Sequence, residues 1–417
     1  MNSKVSQLLL NCINPTLNIQ IGDIGGLPVS TSFHSDLIEN CEQLSKSDWD
    51  SRETSWDFLQ SELLRLRGQD LEESYDLYCQ YWTNKFHQLH RNEEELNRQF
   101  IEIYGLQDEL TPDVPLEDIT ILKQETRIEQ GQLVFDAQEV MAQFVSYAVG
   151  CMMGRYSLDK EGLILANQGE TLADYYQKVL GVSELAVSEQ PSTANSQQLT
   201  ANSSFHPDED GIIPVLDDEW FEDDIVGRFH AFLKAAFGER DFKKNLSFVQ
   251  EKLGKDIRKY FVRDFYADHV QRYKKRPIYW LFSSPKGSFS VLVYLHRYTP
   301  DTLNNILNHY LREFIQKLRA QRDHFEQVKV SGSTAEQTQA IKRIDQLEKM
   351  LHDCEQYERE ILYPLATERI ALDLDDGVLV NYNKLGRAVK EVSGLNDKVT
   401  KGKVRGFDWV DGELIRD

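Results

Sequence analysis

Cysteine is scarce in this 417-residue chain. The five present, Cys12, Cys41, Cys79, Cys151 and Cys354, lie far apart and form no CxxC pair. That excludes a dense disulfide framework and a cysteine-based zinc module, and it points to reduced thiols in a cytoplasmic protein. Long apolar runs are missing too. No window approaches the roughly eighteen apolar residues of a membrane span, so no membrane partner is expected. Met1–Leu10 holds only Lys4 and a very short apolar run, which is not a signal peptide. Positive charge is in deficit: 47 Lys and Arg stand against 68 Asp and Glu, a net −21. The molecule as a whole is therefore no nucleic-acid magnet, and any surface for DNA has to be local.

Catalytic signatures are equally sparse. Gly254-Lys255 is followed by Asp256, and no glycine stands at the spacing of a phosphate-binding P-loop. GxGxxG and HExxH do not occur. His87 and His90 are three apart on a helical pattern, but no carboxylate or cysteine constellation joins them, and they read as a solvated pair. Asp373-x-Asp375-Asp376-Gly377 departs from EF-hand spacing. An adenine amino-methyltransferase needs (Asn/Asp)-Pro-Pro-(Tyr/Phe) to hold a flipped base, and only Asn14-Pro15-Thr16-Leu17 is present. The residues thus nominate no catalytic, cofactor-binding or metal-ligating position.

What is present is periodicity. Hydrophobic residues make up 41% of the chain, enough for real cores. Leu17, Ile19 and Ile21 alternate with polar neighbours up to Gly25-Gly26, predicting a half-buried strand. Asp36 to Leu66 reads as a helix with Trp56, Leu59, Leu63 and Leu66 on one stripe. From Leu71 to Ile103 apolar residues recur at near-heptad steps, predicting a long helix paired antiparallel with the first and stopped by Pro112 and Pro115. Ile119–Phe135 predicts a hairpin around Gly131, and Asp136 a helix cap, with Gly150 to Gly154 breaking that helix. Ser188–Ser204, nearly free of apolar residues, reads as a linker. Leu303 to Leu318 and Ile341 to Ile361 predict a second helical hairpin turning at Val330–Thr334, followed by a tail of short turns and strands. The fold class expected is α+β, predominantly helical, with two long antiparallel helix pairs and small β-hairpin elements. The segments run 1–30, a helical spacer 31–113, a mixed segment 114–187, a linker 188–207, an acidic-then-basic segment with hairpin 208–301, a helical hairpin 302–365 and a tail 366–417.

Charge is patterned as well. Asp208–Asp224 carries nine acidic residues and no basic one, expected mostly at a helix N-terminus. Lys252–Arg276 reverses the sign, with nine Lys and Arg against three Asp. On a helical wheel Lys255, Arg258, Lys259 and Arg263 share one face, and Ile257, Phe261 and Phe265 the other. Next comes RYKKRPIYWLFSSPKGSFSVLVYLHRYTPDT, residues 272–302, which predicts a tight hairpin with a basic collar. Arg272, Lys274, Lys275, Arg276 and Lys286 join the helical four as candidate contacts to double-stranded DNA. The same charges could equally solubilise the surface or dock on the acidic segment. Tyr279, Trp280, Phe282 and Phe289 read as hairpin core rather than base-stacking platforms.

Longer words narrow the field. Asn14–Ile24 with Leu27-Pro28 is similar to the end of a target-recognition domain. Glu94–Asn97 through Tyr104–Pro112 looks like the helix that follows one. Val149–Asp159 (VGCMMGRYSLD), Pro214–Phe229 (PVLDDEWFEDDIVGRF), Gly254–Tyr266 and Tyr273–Thr299 extend the match, KKRPIYWLFSSPKG being the most specific part. Together they resemble the C-terminal portion of the PglX-type adenine-specific DNA methyltransferases of BREX phage defence. More distantly they look like the part of fused restriction–modification enzymes that follows the methylase. The resemblance implies transfer of a methyl group from S-adenosylmethionine to adenine N6. It places the cofactor and Asn-Pro-Pro-Tyr motifs upstream, so no activity is expected from this chain alone and S-adenosylmethionine is expected to bind elsewhere. Expected partners are double-stranded DNA, a catalytic methyltransferase half or other BREX subunits. The competing expectation is a helical scaffold that docks defence subunits without DNA binding.

Overall fold

A computed structural model describes residues 3–14, 20–28, 35–181 and 204–400, with the backbone of two short strands at 409–410 and 413–414. The linker expected at 188–204 lies almost wholly outside the described residues. The chain divides into two compact units, residues 1–143 and 144–417.

The first unit holds helices α1 (Lys4–Ile13), α2 (Ile21–Gly25), α3 (Ser35–Asp50), α4 (Glu62–Arg65) and α5 (Leu71–Tyr104). α5 is the long helix expected from the spacing, and Leu71, Tyr78, Trp82, Phe86 and Leu89 are its buried stripe. Asp70 caps its start by accepting from the Glu73 amide at 3.1 Å. It ends at Gly105, whose φ of 66° suits a left-handed cap, well before the two prolines. Its partner is shorter than expected. α3 stops at Asp50, and Trp56 and Leu59 are 90% and 53% exposed rather than on a core stripe. Side chains take backbone groups at the helix end, Ser51 Oγ donating to Asp48 O at 2.7 Å and Ser55 Oγ accepting from Asp57 N at 3.2 Å, while Arg52 turns inward to the carboxylates of Asp48 at 2.7 Å and buried Glu125 at 2.5 Å. The strand expected around Ile19 is also corrected. Leu17 and Ile19 lie outside the described residues, but Ile21 begins α2, where Asp23 accepts from the Gln20 amide at 2.8 Å and the Asn14 side chain at 2.7 Å. Strands β1 (Thr126–Glu129) and β2 (Gln132–Phe135) form the expected hairpin, closed by Gln130 and Gly131, both at positive φ.

Helix α6 (Ala137–Met153) starts with Asp136 accepting from the amides of Gln138 and Glu139. Gly150 does not break it. A Cβ there would sit 2.4 Å from the Tyr156 ring, so glycine is needed for packing, and Gly154 at φ 81° makes the stop. The second unit continues with α7 (Leu172–Leu180), β3 (Ile212–Pro214), α8 (Ile225–Phe237) and α9 (Phe242–Leu253). Then comes α10, made of Ile257–Tyr260 and Tyr266–Arg272 joined by the π-helical turn Phe261–Phe265.

Strands β4 (Tyr279–Ser283) and β5 (Ser290–Tyr294) pair in the register Tyr279 to Tyr294 and Ser283 to Ser290, and β3 adds to the far side of β5. Every residue of β4 and β5 is buried, so neither strand shows the alternation of a half-exposed sheet. Tyr279, Trp280, Phe282 and Phe289 are indeed core: Trp280 meets Tyr382 edge-on at 5.0 Å and Tyr279 stacks on His269 at 4.8 Å. The open edge of β4 is covered by the chain near Val389, with Ser283 N donating to Ala388 O and Lys390 N to Leu281 O.

The helical hairpin expected at 302–365 is present. α11 comprises Thr302–Asn305, the π-helical turn Ile306–Leu311 and Arg312–Ser331; α12 comprises Thr334–Tyr357, the π-helical turn Glu358–Leu362 and Tyr363–Glu368. The tail holds a helix, α13 (Gly377–Lys384), where turns and strands were expected. Asp353 of α12 is 1% exposed, and its carboxylate accepts from Ser284 Oγ at 2.6 Å, Lys286 N at 3.1 Å and Ser288 N at 3.2 Å. This one side chain fastens the β4–β5 turn to the helical hairpin. Asp353→Ala leaves those donors unpaired and is expected to cost about 3 kcal/mol in urea unfolding, with Asp353→Asn milder; a change of only a few tenths would show that the turn is held by other contacts.

A candidate anion-binding groove

The basic collar opens onto a groove of about 910 Å³ in the second unit. Five cations line it, Arg263, Lys274, Lys275, Lys286 and Lys390, against two carboxylates, Asp217 and Glu391. Four local devices deliver the five cations. Arg263 lies in the π-helical turn of α10, which inserts an extra residue into the helix. Lys274 and Lys275 follow the end of α10 at φ 50° and 62°, a left-handed pair of non-glycine residues. Such geometry costs roughly 1–2 kcal/mol per residue. It is held by Lys275 N to Val270 O at 2.8 Å and Lys274 N to Gln271 O at 2.9 Å. The Lys275 side chain runs against Gly394, where an added Cβ would lie 3.1 Å from Nζ. Lys286 sits at the hairpin turn, its amide fixed by Asp353. Lys390 is brought in by the segment that covers β4.

His269 ties the collar to the strand. Its Nε2 accepts from the amides of Ile278 and Tyr279, both at 3.1 Å. Burial, with Arg272 and Arg155 nearby, holds its pKa well below the usual range, so the ring stays neutral and able to accept.

The nine contact candidates therefore divide. Arg263, Lys274, Lys275 and Lys286 come together in the groove. Lys259 and Arg276 are exposed but outside its lining. Arg272 is half-buried beside His269. Lys255 pairs with Asp264 at 2.8 Å. Arg258 is the main departure: it grips Asp224 through both guanidinium nitrogens at 2.9 Å and donates to Leu216 O at 3.1 Å. The single cationic face expected from an ideal helical wheel does not form: Lys255 precedes the helix, which is capped by Asp256, Arg258 is held by Asp224, and the π-helical turn shifts the register at Arg263. No sequence signal points to Lys390. It lies more than a hundred residues from the collar in sequence, and only strand-edge pairing brings it there.

The acidic segment does several jobs, and the expected helix N-terminus is only one. Asp224 caps α8 through the amides of Val226 and Gly227 as well as holding Arg258. Asp208 accepts from the amides of Gly211 and Ile212. Asp210 and Asp223 both face the Tyr310 hydroxyl, at 3.1 and 3.0 Å. One phenolic proton cannot serve both carboxylates. Burial first, and the Asp208 charge second, push the Asp210 pKa up to about 7.

Among the described residues no cluster of His, Cys, Asp and Glu could hold a metal ion, and no helix is long and apolar enough to cross a membrane. His90 contacts Val114 O at 2.8 Å. What fold and groove define is a mostly helical α+β protein with a local cationic cleft on an acidic body. No family model matches the chain. Two relatives do. The adenine-specific methyltransferase BrxX of Escherichia coli O9:H4 (strain HS) is 34% identical over 417 aligned residues, 95% of this chain and 32% of that protein. The adenine-specific methyltransferase PglX of Lacticaseibacillus casei (strain Zhang) is 33% identical over 95% of this chain and 31% of that protein. The chain is thus similar to PglX-type adenine-specific methyltransferases along nearly its whole length, and it spans about a third of the length of the curated relatives it matches.

Between its unfolded value of 3.8 and its folded value of about 7, Asp210 keeps a proton that the unfolded chain has lost. Its contribution to stability therefore falls as pH rises through that window. Thermal melts from pH 5 to 8 are expected to show a declining Tm that flattens in Asp210→Asn; an unchanged slope would mean the carboxylate does not carry this proton.

Proposed function

We propose that this chain is the C-terminal portion of a PglX-like adenine-specific DNA methyltransferase of a BREX phage-defence system. In this reading it grips double-stranded DNA, while methyl transfer to adenine N6 is performed outside it. The observation that carries the reading is the convergence of Arg263, Lys274, Lys275, Lys286 and Lys390 on one cleft of a chain whose net charge is −21. Phosphate contact needs cations held on one surface, and the acidic remainder limits indiscriminate binding. The groove does not suit S-adenosylmethionine: its sulfonium and ammonium would lie among five cations. No step of the transfer is assigned to this chain's residues.

A second reading, a scaffold docking other defence subunits, is favoured by the tip of the α11–α12 hairpin, where Val330 and Ile341 are 81% and 54% exposed. Titration of the purified chain against duplex DNA at several salt concentrations separates the two. Lys274, Lys275 and Arg276 all changed to Ala is expected to weaken binding to every duplex alike and to lower the salt slope by roughly 0.9 per lost phosphate contact. Unchanged affinity and slope would remove the collar from DNA binding and favour the scaffold.

A further inference from the structure

We propose that the groove is also a binding site for an organic phosphate of nucleotide size, with nucleoside di- and triphosphates as the matching class. The first reason is unbalanced charge. Arg258, Lys255 and many other cations of this chain are paired with carboxylates. Arg263, Lys274, Lys275, Lys286 and Lys390 have no carboxylate partner among the described residues, although acidic residues outnumber basic ones. Gathering unpaired like charges at one cleft is unfavourable unless an anion enters it.

The second reason is the apolar part of the lining. Val262, Val270, Leu281, Met350 and Val392 line the groove together with the cations, and Val262 is 40% exposed. A duplex backbone is convex and needs only the charges. Apolar lining is useful to a ligand that carries a flat or apolar body beside its charges. Gln271, Ser288 and Ser393 add polar groups that could orient that body. The third reason is size: about 910 Å³ falls within the range of roughly 300–1,000 Å³ typical of small-molecule pockets. Both unusual backbone features of this region, the π-helical turn and the left-handed lysine pair, border the groove and present its cations. Local strain of this kind concentrates where a ligand is held.

Isothermal titration of the full chain with ATP, ADP, pyrophosphate, adenosine and S-adenosylmethionine tests the site. ATP and ADP are expected to bind saturably at one site, while pyrophosphate and adenosine, each carrying half of the recognised features, bind at least about tenfold more weakly, or about 1.4 kcal/mol. S-adenosylmethionine is expected not to bind. Lys390→Glu and Val262→Asp change exposed side chains and are each expected to weaken ATP binding by at least about tenfold, equivalent to about 1.4 kcal/mol. Absence of saturable ATP heat, pyrophosphate binding as well as ATP, or native affinity in both variants would overturn the proposal. Duplex binding without nucleotide binding would overturn it while leaving the DNA reading intact; nucleotide binding without duplex binding would do the reverse.

Discussion

The buried carboxylate of Asp353 is the constraint on which the second unit's working surface depends. Taking a carboxylate out of water costs several kcal/mol unless its lone pairs are filled. Here Ser284 Oγ and the amides of Lys286 and Ser288 fill them. Those donors belong to one turn, so satisfying the charge also fixes where the β4–β5 hairpin sits on the helical hairpin. The turn carries Lys286 to the groove, and Met350, one helical turn before Asp353, lines it as well. A buried structural charge thus sets the position of a charge on the groove lining.

The same division of labour runs through the rest of the unit. Asp224 consumes Arg258 and caps α8 at once, and Asp264 consumes Lys255. Four acids of the acidic segment, Asp208, Asp210, Asp223 and Asp224, are thus used in the fold, while Glu209, Asp217, Asp218, Glu219 and Glu222 stay exposed. What remains unpaired is a subset of the cations, selected by backbone geometry. The left-handed Lys274 and Lys275, the π-helical turn at Arg263 and the edge pairing at Lys390 aim side chains at one cleft that a regular helix and strand would disperse.

Much of this is legible in the sequence. The long stripe from Leu71 onward, the hairpin at Gly131, the turn at Ser283–Gly287 and the 302–365 helical hairpin follow from apolar period and turn chemistry, which act locally. The failures share a different origin. The helix expected through Leu66 stops at Asp50 because Arg52 is drawn to Glu125, more than seventy residues away. Arg258 looked like a free cation because its partner lies on the preceding acidic segment. The π-helical turn leaves no mark in a 3.6-residue pattern, and Lys390 reaches the groove only through a strand-edge contact. Local signals carry the elements; the site is made by long-range pairings that a single sequence does not encode in readable spacing. The long family words, by contrast, correctly pointed to PglX-like chains, because they preserve the outcome of those pairings without explaining it.

Cations far apart in sequence line one groove, which is the proposed DNA-facing surface. Lysine acylation footprinting of the chain with and without a duplex tests this directly. The account predicts that Lys274, Lys275, Lys286 and Lys390 are protected together, while Lys342 and Lys349 on the helical hairpin stay reactive. Protection spread evenly over all lysines, or protection of Lys342 and Lys349 with the groove lysines unchanged, would contradict it.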